Sequence, residues 1–226
     1  VSRRDLSVGV ILLSLLLVTC NGASGPAAPT EGLSAQPWPE ADALFHTDPR
    51  WLGADGAYSI DLGAGRVLWL FGDTFVATSP ANIRSESTMV HNTVAIQTGY
   101  DPSQASIVFR WGNSGGVPSS FFASSGTDWF WPGHGALVGG CLLLFLSRIA
   151  PSSGGLGFQA AGWKAVCIRN PAEDPSLWTP LSIPVPATPG VTFGEAAIVA
   201  DGRLYVFGAE DQSHAVHLLR WPISAV

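Results

Sequence analysis

The sequence predicts an all-β protein: a five-bladed β-propeller of four-stranded antiparallel blades, truncated to about three blades. Three observations predict it. The 226 residues include 26 Gly and 17 Pro, and only 12% are charged; bundles and coiled coils rich in Glu, Lys and Ala are excluded. Nine Trp and eleven Phe carry too much apolar surface for a disordered chain. One hairpin pattern then recurs three times, at a spacing typical of repeat architectures.

The first hairpin runs from Gly56-Ala57-Tyr58-Ser59-Ile60-Asp61-Leu62 to Arg66-Val67-Leu68-Trp69-Leu70-Phe71-Gly72. The second joins Gly135-Ala136-Leu137-Val138 to Cys141-Leu142-Leu143-Leu144-Phe145 through Gly139-Gly140. The third joins Glu195-Ala196-Ala197-Ile198-Val199 to Arg203-Leu204-Tyr205-Val206-Phe207-Gly208 through Asp201-Gly202. Each has two apolar strands and a tight turn. Two further strands are predicted after the first (Met89–Thr98, Ser106–Trp111), two after the second (Gly162–Arg169, Leu177–Ile183) and one after the third (Ala215–Trp221). Four strands per repeat, innermost first, make a propeller blade, whose inner strands are apolar on both faces because neighbouring blades pack on each. Two blades and most of a third are present, whereas a closed five-bladed ring needs roughly 300 residues. The competing architecture is a complete β-sandwich; three matching hairpins argue against it.

The N-terminal end reads as a targeting segment. Arg3 and Arg4 precede an uncharged run from Leu6 to Thr19 that ends at Cys20. The run is shorter than the roughly 20 apolar residues of a spanning helix. Residues 1–20 are therefore expected to be a signal peptide or lipoprotein signal. Leu17-Val18-Thr19-Cys20 resembles a bacterial lipobox with Cys20 as the lipidated residue, although Thr19 departs from the small residue usual there. Simple secretion and an uncleaved anchor are the alternatives. Residues 21–44, rich in Gly, Ala, Ser and Pro, read as a flexible tether, and 45–226 as the incomplete propeller domain. The expected location is secreted or lipid-anchored: periplasm, outer membrane or cell surface. Export also permits a disulfide. Cys141 and Cys167 are equidistant from the Ser152–Gly155 turn, which opposes them on antiparallel strands; two buried free thiols are the alternative.

A net charge of −6 with scattered Arg residues excludes a phosphate-tracking basic face, so no nucleic-acid partner is expected. Five His and three Cys show no metal-ligand spacing. No cofactor and no catalytic metal are predicted, and a structural cation on the axis is left open. The expected form is a monomer, touching membrane through a lipid anchor only.

Blade topology places the long connections, Thr74–Thr88 and Gly112–Pro132, on one face, where function concentrates. Inner strands begin there at Asp55, His134 and Glu195. Asp73 and Arg148 end second strands, His91 and Asn92 start a third, and Trp129 and Trp131 precede an inner strand. Paired carboxylates beside aromatic rings suit glycosidic bond cleavage, one protonating the leaving oxygen and the other serving as base or nucleophile. Glu195, opening an apolar strand, is expected to be a desolvated proton donor, with Asp73 or Asp55 opposite it. His91, Asn92, Trp129, Trp131, His134 and Arg148 are the candidate substrate-binding residues. Each has a structural alternative: turn capping for Asp55 and Asp73, an ion pair for Arg148.

Trp51-Leu-Gly-Ala-Asp-Gly-Ala-Tyr-Ser59, Leu68-Trp-Leu-Phe-Gly-Asp-Thr-Phe75, His91-Asn92-Thr93 and Trp129-Phe-Trp-Pro-Gly133 resemble a family of secreted bacterial five-bladed propellers with a Phe-Gly-Asp-Thr motif. That family is related to endo-arabinanases that cut D-arabinan and to arabinanase-like glycoside hydrolases. The resemblance implies a glycoside hydrolase-like propeller acting on a cell-envelope or plant polysaccharide, arabinan-like, or an oligosaccharide from it. The wider arabinanase-like clan places Asp, Asp and Glu at blade entrances, and His134 breaks that pattern. A non-catalytic carbohydrate- or protein-binding propeller lipoprotein is the alternative function.

Overall fold

The computed structural model describes residues 35–225; the expected leader, Cys20 and most of the tether lie outside them. A short helix, α1 (Pro39–Leu44), opens the body, with Pro39 at a position that needs no N–H. Leu44 is buried and Phe45 meets Trp69 edge-on at 5.1 Å. Ordered packing therefore begins inside the segment expected to be a tether to residue 44, because these two apolar side chains cap the first sheet.

The strands follow in the order β1 (Trp51–Ala54), β2 (Tyr58–Gly63), β3 (Arg66–Phe71), β4 (Thr74–Ala77), β5 (Ser87–Val90), β6 (Thr93–Thr98) and β7 (Ser106–Arg110). They form a four-stranded sheet, β2-β3-β6-β7, continued at one end by a three-stranded sheet, β1-β4-β5. A small hairpin, β8 (Gly112–Ser114) with β9 (Val117–Ser119), precedes the second four-stranded sheet of β10 (Trp129–Val138), β11 (Cys141–Pro151), β12 (Phe158–Ile168) and β13 (Leu181–Ile183). The third sheet is β14 (Val191–Ala200), β15 (Arg203–Glu210) and β16 (Val216–Pro222). The described chain is all-β and antiparallel, with almost no helix.

Three equivalent hairpins organise it. β2–β3, β10–β11 and β14–β15 are each closed by two residues with positive φ: Ala64 and Gly65 at 52° and 76°, Gly139 and Gly140 at 57° and 79°, Asp201 and Gly202 at 50° and 68°. That mirror-image turn matches the right-handed twist of paired strands. The apolar run from Cys141 to Leu146 is explained by packing on both sides. Leu142, Leu144 and Leu146 meet Ile60, Leu68, Leu70, Val94 and Ile96 of the first sheet. Leu143 and Phe145 meet Phe193, Ala197, Leu204 and Val206 of the third. The other face of the first sheet is closed by Trp51, Phe71, Phe109 and Leu44. The other face of the third sheet leaves Ile198, Val216 and Leu218 exposed.

The structure joins Cys141 to Cys167 as a disulfide, with Cα atoms 5.6 Å apart. They are diagonal rather than opposed, since Cys167 pairs with Leu143. An irregularity between Arg148 and Ile149, with Ala161 as the extra residue on β12, shifts the register that the turn alone would set.

A polar clamp also links the first two sheets. Arg110 of β7 donates from Nε and Nη2 to the Asp174 carboxylate, at 3.1 and 2.6 Å, and Asp174 caps the Ser176 N–H at 2.9 Å. The Arg110 bond, then those from Ser176, hold the Asp174 carboxyl well below the usual carboxylate range. A folded pKa depressed below the unfolded value gives stability above the unfolded pKa that is lost as pH falls through the folded one. The Tm difference between wild type and Asp174→Asn is thus expected to be full at pH 7 and to shrink steadily as pH falls below the ordinary carboxylate range, with part of it still present at about pH 2; a difference constant with pH would refute it.

Candidate active site

Three strands of the first sheet break at one level. β1 passes to β2 through residues 55–57, β3 to β4 through Gly72-Asp73, and β5 to β6 through His91-Asn92. Strands pair on either side, with Ala54 opposite Thr74 and Thr74 opposite Val90, then Tyr58 opposite Leu70 and Phe71 opposite Thr93. The resulting crease brings Asp55, Asp73 and His91 side by side. The Asp55 N–H donates to the Asp73 carbonyl at 3.1 Å, and the Gly72 N–H to the Asp55 carbonyl at 2.8 Å. The segment expected to be a long loop from Thr74 to Thr88 is largely the β4–β5 hairpin, which walls this crease.

Asp73 Oδ1 accepts two hydrogen bonds, from His91 Nδ1 at 2.9 Å and from Trp131 Nε1 at 2.8 Å. Both fix the carboxylate rotamer on one oxygen and leave Oδ2 for other work. The His91 ring stacks on Trp129 with centroids 4.5 Å apart and planes 17° apart. Phe158, which sequence reasoning missed, stands edge-on to Trp131 at 5.0 Å and to Trp129 at 6.3 Å. Trp129 and Trp131 lie on β10 itself, not in a loop before it. The strand starts earlier than expected because the ladder resumes beyond Gly133-His134.

Asp55 is exposed as a residue, yet its Oδ1 folds back over Gly72, where any Cβ would strike it. Burial of the carboxyl, and next the charge of Asp73, raise the Asp55 pKa. A raised folded pKa means that ionised Asp55 costs stability once pH rises through that value. Asp55→Asn is expected to raise Tm at pH 7, with the gain fading below the carboxylate range. A lower Tm at pH 7 would show that the carboxylate is a structural partner instead.

Other candidates are placed differently. Asn92 is fully buried. Its Nδ2 donates to the carbonyls of Phe122 and Phe130 at 3.2 and 2.8 Å, and its Oδ1 accepts from the Phe122 N–H at 2.6 Å. It positions His91 from behind rather than touching substrate. His134 lies in a bulge of β10 and pins three sheets together. Its Nδ1 accepts from the Ala197 N–H at 2.9 Å, which leaves Nε2 protonated to donate to the Ser59 carbonyl at 3.2 Å. Both ring nitrogens are thereby committed to the scaffold. Glu195 lies in the corresponding irregularity of β14 and is exposed, not desolvated as the apolar strand suggested. The bulge turns it off the packed face, and its charge contributes to raising the Tyr58 pKa, after burial of that phenol. Gly133 and Gly194 let the two bulges interlock, since a Cβ at Gly133 would hit the Gly194 carbonyl.

Arg148 is exposed within β11, 3.6 Å from Asp128 and donating to the Ala161 carbonyl from Nε at 3.1 Å. It borders an adjacent cavity of about 830 Å³ that also holds Lys164, a second residue missed from sequence. Among the described residues no group of three His, Cys, Asp or Glu side chains is arranged to hold a metal, and no helix is long and apolar enough to cross a membrane.

No curated protein matches the chain. A solved structure from Bacteroides ovatus ATCC 8483, described as a "putative hydrolase", is similar in fold with a TM-score of 0.62 at 14% identity. The match covers 80% of this chain and 51% of that one, so the chain spans about half of that protein's length. At that identity the likeness concerns the fold. Residues 40–221, which hold every crease residue described above, match the family model "Domain of unknown function (DUF5005)", and the chain belongs to that family.

Proposed function

We propose that this chain is part of a β-propeller glycoside hydrolase that cleaves an arabinan-like polysaccharide, with Asp55 and Asp73 as its working carboxylates. The observation that carries this reading is the Asp73 carboxylate held by His91 and Trp131, with Asp55 beside it and aromatic rings around it. Asp55, whose pKa is raised, is the residue suited to deliver a proton to the leaving oxygen. Asp73, oriented on one oxygen, acts as base or nucleophile through the other. Trp129 and Phe158 offer ring faces and edges to the apolar side of a sugar. The acid role is thus assigned to Asp55, which lies against Asp73 and has a raised pKa, in place of Glu195.

The propeller reading is supported by the three equivalent hairpins and by the second sheet packed on both faces. The exposed apolar face of Ile198, Val216 and Leu218 suits a further sheet of the same kind. A neighbour of similar fold whose description reads "putative hydrolase" is consistent with the activity. Incubating the full chain with linear arabinan and measuring new reducing ends tests it. Release by wild type and none by the Asp55→Asn/Asp73→Asn double variant is expected. Binding without release by either protein would favour a non-catalytic carbohydrate-binding role.

A further inference from the structure

The cavity beside the crease contains the chain's only lysine. Lys164 projects from β12, and its Nζ lies 3.7 Å from the centroid of the Phe130 ring. Among the described residues no carboxylate is within ion-pair distance of it. The cavity's other cation, Arg148, already has Asp128 at 3.6 Å and the Ala161 carbonyl. The facing wall is the segment Val185–Val191, fixed by the Trp163 Nε1 bond to Thr188 Oγ1 at 2.7 Å and by the Thr188 Oγ1 bond to the Val191 carbonyl at 3.1 Å. Asp211 lines the rim, where it is exposed and screened by water.

The volume, about 830 Å³, lies in the range of sites for small organic ligands. The lining combines aromatic residues (Phe130 and Trp163) with polar ones (Ser125, Arg148 and Lys164), a mixture that suits a polar ring compound with apolar faces. Its electrostatics are lopsided. A partly desolvated ammonium with only a ring face for company gains from a carboxylate, and burial does lower the Lys164 pKa. A neutral ligand would leave that ammonium unpaired.

We infer that this cavity is a subsite for a carboxylate-bearing sugar residue, with the Lys164 ammonium as its ion-pair partner. The inference rests on the saccharide reading above and adds acidic character to the substrate class. Arg148, already held by Asp128 and the Ala161 carbonyl, leaves Lys164 as the cation that sets the preference.

Calorimetric titration of the full chain with trigalacturonic acid, its fully methyl-esterified form and acetate tests it. The acid trimer is expected to bind roughly tenfold or more tightly than the ester. Lys164→Met is expected to bring the two within about twofold. A solitary lysine also gives one assignable ε-methylene signal in wild type. Its titration midpoint is expected to rise when the acid trimer is added and to stay put with the ester, which keeps the inference testable if Lys164→Met misfolds. Equal affinity for acid and ester, a preference that survives Lys164→Met, an unmoved lysine midpoint, or acetate binding as tightly as the trimer would each overturn it. If arabinan is cleaved while acid and ester bind alike, the subsite falls and the hydrolase stands. If neither trimer binds and no arabinan is cleaved, both fall.

Discussion

Asp73→Asn is expected to lower arabinan turnover by about three orders of magnitude or more, while the dissociation constant for an arabino-oligosaccharide changes only a few-fold. Asparagine keeps the shape of the side chain and a carbonyl oxygen for the Trp131 and His91 bonds. It removes the negative charge that a base or nucleophile needs, and losing such a group costs on the order of 4 kcal/mol or more in the barrier at about 1.4 kcal/mol per tenfold. His91→Ala is expected to cost less, because it only loosens the carboxylate. Single-turnover rates and binding isotherms on the same preparations separate the two. An Asp73→Asn protein that turns over within tenfold of wild type would remove Asp73 from the chemistry.

The largest stability effect is expected at Asn92. Asn92→Leu leaves the Phe122 N–H and the carbonyls of Phe122 and Phe130 without partners in a site with no solvent access. Each orphaned group costs about 1–3 kcal/mol, so the loss is about 3–5 kcal/mol after partial relaxation. For a chain of this size that is a Tm drop of roughly 10 °C. His91 should loosen as well, since the Ser120 hydroxyl that receives its N–H at 3.0 Å lies in the segment Asn92 anchors. Activity is expected to fall more than the folded fraction does. A loss below about 1 kcal/mol in denaturant melts would mean that water enters and replaces the amide.

The inner hairpins were legible because two local signals coincide at them: a two-residue turn that demands positive φ, and an apolar run without alternation. The β4–β5 hairpin was not legible. Ser79, Pro80 and Asn82 supply turn chemistry that reads as a loop, and the strands flanking it are only four residues long. Bulges hid most of the rest. The turn, with Pro151 opposite Phe158, is one residue longer than expected and the extra residue at Ala161 adds a second one-residue shift, so Cys141 and Cys167 are diagonal instead of opposed, and the irregularity at Glu195 turned outward a side chain that its apolar strand implied was buried. Polar residues such as Asn92 and His134 are ambiguous from sequence. A side chain that satisfies buried backbone and one that grips a ligand use the same atoms, and only the partners distinguish them. Asp73, Trp129 and Trp131 were found because blade topology puts the ends of second strands and the residues before an inner strand on one face. Phe158 and Lys164 were given no place on that face.

The central claim is that chemistry occurs at the crease between β1-β4-β5 and β2-β3-β6-β7. A crystal structure of Asp73→Asn soaked with an arabino-oligosaccharide tests it most directly. The expected result is a sugar ring against Trp129 or Phe158, with a glycosidic oxygen within about 3 Å of the Asp55 carboxyl, the reach of a proton donor. A sugar bound instead at the opposite end, over the turns at Ala64-Gly65, Gly139-Gly140 and Asp201-Gly202, would contradict it.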